Sequence, residues 1–190
     1  MIITTPIGEE VVRSLHVGQI VEVSGSVFTG RDSVHRHLYD GGACPVDMQG
    51  AAIYHCGPVV VQEKGVWVVK AAGPTTSIRE EPYQAEVIRR LGLRGVIGKG
   101  GMGPKTLAAC REHGCVYMHA IGGAAQVLAE VVRSVDGVYL LEEFGSPEAI
   151  WHFRVERFPV VITMDAHGNS LHGDIEAASQ AKLRELLAAI

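Results

Sequence analysis

The sequence predicts a mixed α/β domain, and three observations carry that expectation. Through about Val69, short apolar runs are punctuated by glycine and proline, the pattern of a strand-rich region. After Gly73, helix-length segments alternate with short apolar runs. Twenty-three of the 190 residues are glycine, which implies many tight turns between short elements. The length suits one domain over 1–190.

Gln19 to Ser24 alternates apolar and polar residues, as a half-buried strand does. Gly25-Ser26 reads as a turn, after which Val27 to Thr29 continues the β pattern. Arg31 to Leu38 reads as a short helix with Asp32 or Thr29 near its start. Tyr39 to Gly50, with Gly41-Gly42 and Pro45, reads as a loop. Ile53–His55, Val59–Gln62 and Val66–Lys70 read as strands separated by Gly57-Pro58 and Lys64-Gly65. Pro82 to Leu91 reads as a helix, with proline at its start and Gly92 at its stop. Gly95 to Ile97 is a short buried strand, and Pro104 to His113 a helix closed by Gly114. Cys115–Ile121, Val138–Leu141 and Val160–Met164 read as strands, and Ala124–Arg133 as a helix. Asp174 to Ile190 reads as an amphipathic closing helix. Its stripe is Ile175, Ala178, Leu183, Leu186, Leu187 and Ile190.

The composition is 47% apolar and 20% charged, with net charge −4. That balance argues against a general nucleic-acid binder but leaves room for a local cationic pocket. Cys44, Cys56, Cys110 and Cys115 form no CxxC and read as buried, reduced thiols. The first residues lack the pattern of a signal peptide, and no run of about 18 apolar residues exists. A cytoplasmic location is expected.

Gly73-Pro-Thr-Thr-Ser-Ile-Arg79 carries three hydroxyls and an arginine ahead of a helix, a combination suited to an anion nest. A plain N-cap needs only one hydroxyl. Gly98 to Gly103 matches G-x-G-x-x-G between a strand and a helix, which makes a nucleotide-binding module a competing reading. No Asp or Glu follows at the end of the next strand, where a ribose needs one. The Walker A pattern fails, because Leu93 and Gly100 stand where glycine and Ser/Thr are required. His35 and His37 point apart on a helix and lack further ligands, so they do not suggest a metal. Asp165, His167 and Asn169 read as a strand-ending turn rather than, with His119, a hydrolytic triad.

Thr29-Gly-Arg-Asp-Ser-Val-His-Arg36, Gly57-Pro58, Gly73–Arg79, Ile97-Gly-Lys-Gly100, Gly122-Gly-Ala-Ala125, Glu148-Ala-Ile-Trp151 and Phe158-Pro159 occur in this order. Together they resemble the β subunit, or fused C-terminal domain, of the iron–sulfur class I fumarases and L-tartrate dehydratases. The resemblance covers nearly the whole chain. It implies a swivelling β/β/α-type domain and a hydro-lyase. Such an enzyme hydrates fumarate to (S)-malate reversibly, or dehydrates tartrate to oxaloacetate. It implies an α subunit whose three cysteines hold a [4Fe–4S] cluster, a Lewis acid towards substrate. The four cysteines here match no cluster motif, so this chain is expected to supply half an active site within a hetero-oligomer. By the resemblance, Arg31, Arg79 and Lys99 bind the substrate carboxylates and Thr75 is the proposed base. Gly30 replaces the usual alanine, and Ile78-Arg79-Glu80 departs from the common continuation, without removing a functional side chain. The shared clamps serve fumarate and tartrate alike. A hydroxyl needs strong help from nearby cations to act as a base near neutral pH.

Overall fold

The computed structural model describes residues 1–188. In chain order the elements are β1 (Ile2–Thr4), α1 (Glu9–Arg13), β2 (Ile20–Thr29), α2 (Asp32–Tyr39), β3 (Ala52–Tyr54), β4 (Val59–Glu63) and β5 (Val66–Ala71). A 3-10 turn, Ser77–Glu80, leads into α3 (Glu81–Leu91) and β6 (Gly95–Gly98). Then come α4 (Pro104–His113), β7 (Val116–His119), α5 (Ala125–Glu130), β8 (Val132–Tyr139), α6 (Leu141–Phe144), β9 (Ile150–Met164) and α7 (Leu171–Ala188).

Strands β2, β3, β6 and β7 run parallel in that order. Antiparallel β9 pairs with both β7 and β2, which closes the five into a barrel-like ring. Closure leaves these five no free edge against one another. β1 extends from β2 and β8 from β9, while β4 and β5 form a separate hairpin.

Side-chain alternation divides the core into two parts. Val27, Tyr54, Ile97, Met118, Trp151, Phe153 and Phe158, one face of every ring strand, cluster inside the ring. Phe28, Ile53, Val96 and Tyr117 point the other way and meet Val34 and Leu38 of α2, Val87 and Ile88 of α3, and Cys110 of α4. Three helices thus cover one outer wall, and burial of each large apolar side chain there is worth about 1.5–3 kcal/mol. This is the mixed α/β architecture expected from the sequence.

Several local expectations change. Gly25-Ser26 is a β-bulge within continuous β2: Gly25 has φ +101°, and its pairing with β9 shifts register. A matching irregularity in β9 holds Arg157 at φ +56°. That kink and Pro159 hide a strand of 15 residues, of which the pattern marked only Val160–Met164. The expected helix over Ala124–Arg133 ends at Glu130, and β8 begins at Val132. α3 and α4 end as expected at Gly92 and Gly114, both left-handed, where a Cβ would be strained.

The closing helix forms, beginning at Leu171, but none of its described residues is buried. Ile175, Leu183, Leu186 and Leu187 are exposed rather than packed on the core. Ile190, the last member of the expected stripe, lies outside the described residues.

Candidate functional site

Because β2, β3, β6 and β7 are parallel, their C-terminal ends emerge on one rim. Gly30-Arg31 follows β2, His55-Cys56-Gly57 follows β3, Lys99 follows β6, and His119 ends β7. Backbone bonds keep these exits in register: Gly30 N–H donates to Tyr54 O, His55 N–H to Ile97 O, and Ala120 N–H to Gly98 O, at 2.8–2.9 Å. Rims of this kind, where loops leave parallel strands, are favoured ligand sites.

The Gly73–Arg79 turn lies across this rim. Thr75 N–H donates to His55 O at 2.7 Å, and Ser77 N–H to Lys99 O at 3.0 Å. Arg79 ion-pairs with Asp32, the residue after Arg31. The four residues singled out from sequence, Arg31, Thr75, Arg79 and Lys99, therefore sit on chain segments bonded to one another. Arg31 Nε lies 3.3 Å from Glu148 Oε1, while Glu148 Oε2 accepts the Ser33 N–H at 2.9 Å. A Cβ at Gly57 would lie 2.6 Å from Arg31 Nη1, so this glycine makes room for the guanidinium. Among the described residues, neither the Lys99 ammonium in an ion pair nor the Thr75 hydroxyl in a hydrogen bond has a partner. The rim is open: the Arg79 side chain is 57% exposed.

The sequence model of the family described as Fumarase C-terminus matches residues 2–175. The chain belongs to that family. It is 59% identical over 181 residues to a Geobacillus stearothermophilus protein named fumarate hydratase class I, covering 95% of this chain and 35% of that protein. This fumarase C-terminal domain thus spans about a third of that relative's length. The Escherichia coli K12 L(+)-tartrate dehydratase subunit beta is 37% identical over 172 residues, 90% of this chain and 85% of that one. A Methanocaldococcus jannaschii protein named L(+)-tartrate dehydratase subunit beta is 38% identical, with 93% of each chain covered.

In this member of the family the Gly98–Gly103 turn has a task other than cradling phosphate. Glu81 fills the anion site at the start of α4. Its Oε2 accepts the Gly103 N–H at 2.8 Å and the Thr106 hydroxyl at 2.6 Å, and its Oε1 accepts the Lys105 N–H at 2.9 Å. The donors at the start of α4 that an anion would use are therefore already taken. Asp165 likewise accepts from the backbone of Val17, His167 and Asn169, a closed strand-ending turn as expected.

No group of three or more His, Cys, Asp or Glu able to hold a metal ion exists among the described residues. Cys56, Cys110 and Cys115 are buried, and burial pushes the Cys56 thiol up to about 12. A [4Fe–4S] cluster needs three or four thiolates converging on it, and among the described residues these cysteines form no such set. No helix among them is long and apolar enough to cross a membrane.

Sequence reasoning missed what lies beneath the rim. His35, His55, Ser77, Glu80 and Gln84 are all completely buried there. Burial, and then the neighbouring Asp32 and Glu148 carboxyls, pushes Glu80 up to about 9, so it holds a proton. The neighbouring Glu80 carboxyl and the Arg79 guanidinium hold the Asp32 carboxyl below its usual range. Burial lowers His35, and lowers His55 to about 3. One signal was available: Gln84 shares the apolar face of α3 with Val87 and Ile88.

Proposed function

We propose that this chain is the β-type catalytic domain of an iron–sulfur hydro-lyase acting on a C4 dicarboxylate, with fumarate hydration to (S)-malate as its reaction. The observation that carries the reading is the bonded rim. Three cationic side chains and an unpartnered threonine hydroxyl are held on segments tied together by Thr75–His55, Ser77–Lys99 and Arg79–Asp32 contacts. A dicarboxylate needs separated cationic clamps; Arg31 and Arg79 offer planar forks, and Lys99 a point charge. Removing a proton beside a carboxylate builds enediolate-like negative charge, and the same cations stabilise that charge until it is discharged by protonation in the reverse direction. Thr75 is our candidate for carrying that proton, a role for which its hydroxyl needs strong help from nearby cations.

The open rim fits a site completed by a second protein. We assign the [4Fe–4S] cluster to that α-type partner, since the thiols of this chain do not fit it. The working form is then a hetero-oligomer in the cytoplasm. Tartrate dehydration is the second reading, favoured by the likeness to two proteins named as its β subunits. Fumarate is preferred on the higher identity to the fumarate hydratase.

The test is co-expression with an α-type subunit, anaerobic cluster reconstitution, and assay with fumarate and L-tartrate. Oxygen-sensitive fumarate turnover is expected, with Arg79→Ala lowering kcat/KM at least about 100-fold in a folded complex. Full activity of that variant removes Arg79 from the site. Turnover of tartrate alone replaces the substrate, and turnover of neither overturns the reading.

A further inference from the structure

A buried polar chain runs under the rim from β7 to the start of α2. The Tyr117 hydroxyl donates to Ser77 Oγ at 2.9 Å, and Ser77 Oγ lies 2.8 Å from His55 Nδ1. The carboxamide atom assigned as Gln84 Oε1 lies 2.7 Å from His55 Nε2 and 3.0 Å from His35 Nε2, and the two ends of an amide are told apart only by the hydrogen bonds they make. His35 Nδ1 lies 3.0 Å from the carbonyl oxygen of Arg31. One side chain of α3 therefore connects the segment that carries Arg31 with the turn that carries Thr75 and Arg79. Through the Ser77 N–H bond to Lys99 O, the same turn reaches the third cation.

We propose that Gln84 is a positioning residue of the site: its carboxamide, inserted between His35 and His55, holds the Arg31 segment and the Thr75–Arg79 turn in one register. The proposal rests on the dicarboxylate-site reading above.

Hydrogen-bond accounting fixes which end of the amide faces the rings. The Arg31 carbonyl only accepts, so His35 Nδ1 carries a hydrogen. In a neutral ring Nε2 is then a lone pair and needs a donor. The Gln84 amino group has two hydrogens, one for each imidazole. His55 Nε2 becomes an acceptor in turn, and its Nδ1–H donates to Ser77 Oγ. With the amide oxygen towards the rings instead, His35 must be a cation and Gln84 Nε2 is left buried without a partner. An orphaned carbonyl oxygen is the lesser of the two defects.

The surroundings favour neutral rings. Both imidazoles are completely buried, which disfavours charge. The carboxyls facing His35 are Glu80, with Oε2 3.9 Å from Nδ1, and beyond it Asp32 and Glu148. Glu80, the nearest, is protonated and adds no anion. The rings meet edge to face, with centroids 4.9 Å apart. A leucine at position 84 would fill the apolar stripe but leave Nε2 of both buried rings without a partner. The glutamine gives both rings a partner and a fixed geometry between two segments.

Two measurements on the αβ complex test this. Gln84→Met keeps the length and the apolar stem but removes both hydrogens of the bridge. The expected result, per folded site, is a higher KM together with a fall in kcat/KM of about 100-fold. A role in folding alone would reduce the amount of folded complex and leave both constants unchanged, which overturns the proposal. Nitrogen-15 spectra of histidine-labelled wild-type complex form the second arm, available even if the variant does not fold. Both His35 and His55 should be protonated at Nδ1 only, from about pH 6 to about pH 8. An Nε2–H tautomer or an imidazolium at either ring overturns the bridge. If the wild-type complex turns over neither fumarate nor tartrate, the functional reading falls, while the spectra still decide the bridge.

Discussion

Asp32 and Arg79 lie 47 residues apart in the chain and form an ion pair at the rim of the barrel. Asp32 is thus the partner that holds the more exposed of the two rim arginines, and it lies beside the buried Glu80 carboxyl. Its carboxylate links the surface chemistry to the buried network.

Replacing that carboxylate tests the link. Asp32→Asn keeps the shape and removes the charge. The pair is partly exposed, so stability should change by less than about 1 kcal/mol. In the αβ complex kcat/KM should fall about tenfold, the worth of one hydrogen bond between charged groups. Paired denaturation and kinetic measurements check both.

Glu80 predicts a pH dependence of stability. Its carboxyl loses its proton at about 9 when folded, against an ordinary value of 4.5. The unfolded chain therefore binds fewer protons than the folded one between these values. The stabilisation is fully present below 4.5 and lost as pH rises towards 9. Glu80→Gln should remove this decline, with a stability gain over wild type that grows with pH across that window. Urea unfolding of both proteins at a series of pH values checks it, and parallel profiles would rule it out.

The two buried histidines act in the opposite direction. His55 is lowered from 6.5 to about 3 and His35 is also lowered. The unfolded chain takes up these protons first, so stability is present above 6.5 and lost as pH falls below it. In the Glu80→Gln protein, stability should therefore rise to about pH 6.5 and then level off. His55→Gln should flatten the acid limb of the same curve.

Gly98 adjoins this network. A Cβ there would overlap Ser77 Oγ and lie 3.1 Å from His55 Nδ1. Gly98→Ala is expected to cost about 1–3 kcal/mol through overpacking and to displace the turn that carries Arg79. Thermal unfolding measures the first effect, and kcat/KM in the αβ complex the second.

Glu81 offers a test against nucleotide binding. Glu81→Ala should cost about 1–2 kcal/mol, as the loss of a helix cap does. Calorimetry of the wild-type protein with NAD should show no binding. Saturable binding would return the Gly98–Gly103 turn to a phosphate-binding role.

The mixed α/β class and most helix limits were legible in the residue order alone, because Pro82, Gly92, Pro104 and Gly114 are local stop and start signals that act within a turn. The residue order also marked Arg31, Thr75, Arg79 and Lys99, since their types and order suffice for the family likeness. It hid β9, whose Arg157 kink and Pro159 interrupt the alternation while pairing to β2 continues on both sides. It suggested a packed closing helix, but an apolar stripe does not state which surface covers it. The closure of β9 onto β2, the capping of α4 by Glu81 and the meeting of His35, His55, Ser77 and Gln84 under the rim became visible with the folded chain. Each of these is a pairing between distant segments. Their energies come from burial and from hydrogen bonds that exist only once the strands have been brought together.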